Sequence, residues 1–146
     1  MTIDPLTRSA IAATTHCLTG CAIGEVLGLV IASAAGWGNA ASIAIAVVLA
    51  FFFGYLLTLR SVAAHVGVRR GVRIALASDT VSIAVMETVD NALVLAVPGA
   101  MAAGLGDELF WWSLALGLAL AFVAALPVNR WLIGRGRGHA VAHAHH

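Results

Sequence analysis

Four apolar runs, each long enough to cross a bilayer as a helix, take up nearly the whole chain: about residues 9–35, 40–64, 74–97 and 109–133. A spanning helix needs about 20 mostly apolar residues. The connections between the runs are too short to build anything else. The expected fold is therefore all-α: a polytopic membrane protein with a four-transmembrane-helix bundle as one domain over residues 1–146, ending in a His-rich tail at 138–146. Composition agrees, with 61% hydrophobic and 10% charged residues and a mean hydropathy of +0.97, unlike a soluble domain. A cleaved signal peptide is the competing reading of the first run, because Ala32, Ser33 and Ala34 form an A-x-A pattern. The barely basic start MTIDPLTR, the length of the run and Glu25 inside it argue against that reading.

The arginines set the expected orientation, since cytoplasmic flanks carry an excess of basic residues. Arg8 precedes the first run, Arg60, Arg69, Arg70 and Arg73 surround the second connection, and Arg130, Arg135 and Arg137 close the fourth. The other connections, GWGN and GAMAAGLGDE, have none. Both termini are thus expected in the cytoplasm, with the chain multi-pass in a bacterial inner membrane. Trp37, Trp111 and Trp112 fall at the outer interface and Trp131 at the inner one, where aromatic belts sit. The net charge of +1 is already explained by topology and points to no nucleic acid. There is no P-loop, dinucleotide fingerprint or nucleophile elbow, so no catalytic residue is assigned and an enzyme is not the expected class.

The first run holds HCLTGCAIGEV. Residues four apart share a line on a helix, so Cys17, Cys21 and Glu25 form one row and His16, Gly20, Gly24 and Gly28 the next. The second is a small-xxx-small seam that lets membrane helices approach closely. A disulfide between Cys17 and Cys21 is a poor fit. Helical neighbours have Cβ atoms about 5–6 Å apart, and a disulfide wants about 3.5–4.5 Å.

The third run holds ASDTVSIAVMETVDN. At 100° per residue, Ser82, Met86 and Asp90 lie within about 60° of Asp79, and Glu87 about 80° away. A carboxylate at the centre of a membrane helix costs about 2.5–3.5 kcal/mol even on the lenient insertion scale. Arg60 and Arg73 are placed to reach Asp79, but the arginines are too shallow for Glu25, Glu87 and Asp90. Those three require a proton, water or a bound cation. Both helices run from inside to outside, so His16, Cys17 and Asp79 form an expected inner layer. Cys21, Glu25, Met86, Glu87 and Asp90 form a central one. The glycine seam is expected to bring helices one and three close together around this shared site.

The second helix, with Ser42, Tyr55, Thr58 and His65, reads as packing. The fourth is apolar until Pro127 and Asn129; Pro127 leaves the Val123 carbonyl without its helical donor. His139, His143, His145 and His146 in the tail form a His-rich tract of the kind that can bind metal.

The segments HCLTGCAIGEV, ASDTVSIAVMETVDN, PGAM, LFWWSL, PVNRWLI and RGRGHAVAHAHH together resemble a bacterial family of small four-helix membrane proteins, catalogued as a domain of unknown function. Members are sometimes labelled in connection with copper, so the resemblance implies metal handling. It supplies no catalytic residue.

The leading expectation is a transition-metal binding or transport protein with His16, Cys17, Cys21, Glu25, Asp79, Met86, Glu87 and Asp90 as metal ligands. Cys and Met favour soft ions such as copper, while His and carboxylates suit zinc or iron. The expected partners are the lipid bilayer, the metal ion, and a second copy in a homo-oligomer or another membrane subunit. Two alternatives remain: a haem- or quinone-linked redox protein using His16 and His65 as axial ligands, and a structural accessory subunit whose carboxyls bond only to neighbouring polar groups.

Overall fold

The computed structural model describes residues 2–135, so the histidine tail and Arg137 lie outside the described residues. Four helices carry the chain: α1 (Pro5–Ala35), α2 (Asn39–Val66), α3 (Val68–Ala96) and α4 (Glu108–Gly134), with a single 3-10 turn at Ala100–Ala102 before α4. α1, α2 and α4 are long and apolar enough to cross a membrane. α3 is longer than a bilayer requires, but its three arginines and three carboxylates make it more polar.

Local signals explain the helix ends. Asp4 caps α1: its carboxylate accepts from the Thr7 backbone N–H at 2.7 Å and from the Thr7 hydroxyl at 2.8 Å. Those two bonds hold the Asp4 carboxyl below its usual range. Pro5 follows at the first helical position, where its missing N–H costs nothing. Gly36 ends α1 at φ 67°, the left-handed conformation that glycine adopts without strain. α2 and α3 are joined by one residue, Gly67, at φ 83°, where the sequence suggested a connection spanning residues 65–73.

The helices alternate in direction. Gly20 lies against Gly54, Gly24 against Ala50 and Gly28 against Ala46, so α2 descends as α1 rises. Tyr55 meets Thr80 at 2.8 Å, and Ile83 packs on Gly54, which turns α3 back parallel to α1. Asn129 reaches Thr14 and Ser82, so α4 runs antiparallel to both. The arginine-bearing ends of all four helices are thus gathered at one end of the bundle, with Trp37, Trp111 and Trp112 exposed towards the other.

The glycine seam faces α2, and this corrects the expectation that it would bring α1 close to α3. A Cβ at Gly20 would sit 2.7 Å from Gly54 Cα, and one at Gly24 would sit 2.5 Å from Ala50 Cα. The reason is that α2 carries its own small row, Ala46, Ala50 and Gly54, at the same four-residue spacing. Two such rows let backbones meet, whereas the α3 face is filled by Ser82, Ile83, Met86 and Glu87, all buried. The core follows: Cys17, Cys21, Ala50, Ile83, Met86, Ala121 and Ala125 form one apolar cluster, and Ala10, Ala13 and Ile133 a smaller one at the arginine-bearing end.

Candidate functional site

The row on α1 and the acidic face of α3 meet side by side in three successive pairs. Nearest the arginine-bearing end, the Cys17 thiol faces Asp79 Oδ1 at 3.8 Å. Asp79 is fully buried. Its Oδ1 also accepts from the Ser78 hydroxyl at 2.8 Å, the Thr58 hydroxyl of α2 donates to the carboxylate, and His16 stands within electrostatic reach. One turn further along α1 and two along α3, the Cys21 thiol lies beside the Glu87 carboxyl. Asn91 donates to Glu87 Oε2 at 3.4 Å. Beyond that, the carboxyls of Glu25 and Asp90 meet each other within hydrogen-bonding reach.

The spacing follows from helix geometry. Parallel helices keep residues in the same order, so 17, 21 and 25 of α1 meet 79, 87 and 90 of α3 in turn, although α1 rises only about 6 Å between successive members and side-chain reach spans the difference. From Asp79 to Glu87 the axis rises about 12 Å, and from Glu87 to Asp90 about 4.5 Å, at 1.5 Å per residue. Met86 is 1% exposed and sits in the apolar cluster with Cys17, Cys21 and Ile83, packed between the first two pairs.

Satisfaction differs along this line. Asp79 is ringed by hydroxyl and thiol donors. Among the described residues, no N–H or hydroxyl donor reaches Glu25 Oε1, Glu87 Oε1 or Asp90 Oδ1, and all three atoms are buried. A buried carboxyl oxygen without a donor is costly, and two carboxyls in contact need a proton between them or a cation beside them. Glu25 and Asp90 also line a cavity of about 110 Å³, together with Ser42, Asn91, Phe110 and Ser113. It lies at the end of the bundle away from the arginines, roofed by the 3-10 turn.

α4 contributes two features that sequence reasoning missed. A Cβ at Gly117 would collide with Asp90 Oδ1, so this glycine provides the niche in which the Asp90 carboxyl sits. Asn129, read from sequence only as a polar break, is 3% exposed and donates to Thr14 Oγ1 and Ser82 Oγ, both at 2.9 Å. Thr58, read as packing, is a donor to Asp79. A small residue at the depth of a membrane carboxylate was the available signal for Gly117; nothing in the sequence alone pairs Asn129 with Thr14.

Six of the eight expected ligands are therefore brought into three neighbouring pairs, while His16 stands near the first pair and Met86 packs in the apolar cluster. Among the described residues, no three His, Cys, Asp or Glu side chains are gathered as one metal-binding group. His65, the second histidine of the redox alternative, is exposed in the last turn of α2, while His16 stands near Asp79.

The family model described as Domain of unknown function (DUF4396) matches residues 7–138, so the chain belongs to that family. No curated protein and no solved structure matches it.

Proposed function

We propose that this member of the DUF4396 family is a four-span protein of the bacterial inner membrane, with both termini in the cytoplasm, that binds and carries a transition-metal cation along the line between α1 and α3. The observation that carries the reading is the set of three buried carboxyl oxygens, one each on Glu25, Glu87 and Asp90, that no N–H or hydroxyl donor reaches among the described residues. Ionisable groups within a membrane bundle are functional by default, and these are placed where a cation would supply what the protein does not.

The pairwise arrangement favours movement over storage. A storage or structural site gathers its full ligand set around one ion. A path instead needs several modest sites, each favourable enough to enter and weak enough to leave. Cys17 with Asp79, Cys21 with Glu87, and Glu25 with Asp90 are such a series, each adding two side-chain ligands, with water completing the shell. Mixed thiol and carboxyl donors suit borderline divalent ions such as zinc or iron better than Cu(I). A second copy or another membrane subunit would enclose the lipid-facing sides of so small a bundle.

Protein purified in mild detergent from zinc- or iron-supplemented cells should hold about one metal ion per chain by elemental analysis. Glu87→Gln, nearly identical in shape, should leave the melting temperature close to the parent's and remove most of the metal. An empty parent protein, or a Glu87→Gln variant that keeps its metal, would overturn the reading.

A further inference from the structure

The two ends of the polar line are built differently. At one end, Glu25 and Asp90 border a cavity. At the arginine-bearing end the line is closed twice. Asn129 ties α4 to α1 and α3 through Thr14 and Ser82, at 2.9 Å each, and both hydroxyl residues are fully buried. Below this latch, Ile133 of α4 rests on Ala10 and Ala13 of α1, with Leu6 and Leu126 packed around them. Every α4 component of the closure except Leu126 lies after Pro127. Pro127 removes the backbone hydrogen bond to the Val123 carbonyl, so α4 is weakest where the closing segment begins.

We propose that residues 128–134 of α4 are an inner gate, with Pro127 as hinge, Asn129 as latch and Ile133 as plug. Swinging this segment outwards breaks both Asn129 bonds in one motion and lifts Ile133 from Ala10 and Ala13, opening a way to Cys17 and Asp79. The plug is thin: on the α1 side Ile133 seats on two alanines with Leu6 at their edge, so a small displacement suffices. The structure holds the gate closed while the opposite end carries the cavity, one state of an alternating-access cycle. The proposal rests on reading the polar line as a path, but its test needs no metal, so the two can fail separately.

The test uses the protein's own thiols. Cys17 and Cys21 are both free and buried. In a Cys21→Ala background, Cys17 alone reports opening. The chain is reconstituted in sealed vesicles and treated with a membrane-impermeant maleimide from each face. Asn129→Ala should raise Cys17 alkylation from the arginine-bearing face by about tenfold, the effect of losing two modest hydrogen bonds, and leave the opposite face unchanged. Pro127→Ala restores the backbone bond and should slow alkylation below the parent rate, a result that a merely loosened fold cannot give. Equal rates for Asn129→Ala and parent, equal gains from both faces, or a Pro127→Ala rate at or above the parent's would each overturn the gate. Where Asn129→Ala is not recovered folded, the Pro127→Ala rate decides alone.

Discussion

Gly117 matters through the side chain it lacks. The Asp90 carboxyl occupies the place where a Cβ on residue 117 would project, so even a methyl group forces the carboxyl or the helix to move. Overpacking of this kind costs about 1–3 kcal/mol. The cost falls on Asp90, whose Oδ1 has no donor among the described residues, and so on its contact with Glu25. Gly117→Ala should lower the melting temperature in detergent and reduce bound metal, while Gly134→Ala, where an added Cβ meets open space, should do neither. Equal behaviour of the two variants would show that Asp90 has room elsewhere.

Between elements, α1 and α2 meet backbone to backbone along Gly20, Gly24 and Gly28. Membrane helices gain little from hydrophobicity against lipid, so close packing of this sort does much of the holding. Gly24→Leu drives a branched side chain into the Ala50 backbone and should separate α1 from α2, visible as a lower melting temperature in detergent. The seam was legible in the sequence, and its partner was not. A row of small residues announces a close approach without saying to which neighbour; the matching row Ala46, Ala50, Gly54 lay in a helix that read as featureless packing. The pairing of α1 with the acidic face of α3 was legible for a different reason. Buried carboxyls must find company, and depth along parallel helices leaves few choices. What α4 adds stayed hidden, because a glycine or an asparagine in an apolar helix gains meaning only from what stands opposite.

Across the whole molecule, three greasy helices surround the polar face of a fourth. α1, α2 and α4 each pass as spans on length and composition, whereas α3 carries Asp79, Glu87 and Asp90 on its buried side and exposes only the remainder. That division bears on how the chain is made. A segment with three carboxylates pays the insertion penalty three times if it meets the lipid alone, so in the four-span arrangement α3 cannot partition from the translocon by its own hydropathy. The single-residue corner at Gly67 ties it to α2 as it emerges, and the α1–α2 hairpin, already in the bilayer, offers Cys17, Cys21 and Thr58 as its first neighbours. Insertion of α3 should thus be templated. Placed in a host protein with glycosylation reporters on both flanks, residues 68–96 alone should fail to span, and residues 5–96 should carry α3 across. Efficient insertion of the isolated segment would mean that the hairpin is not needed to chaperone it.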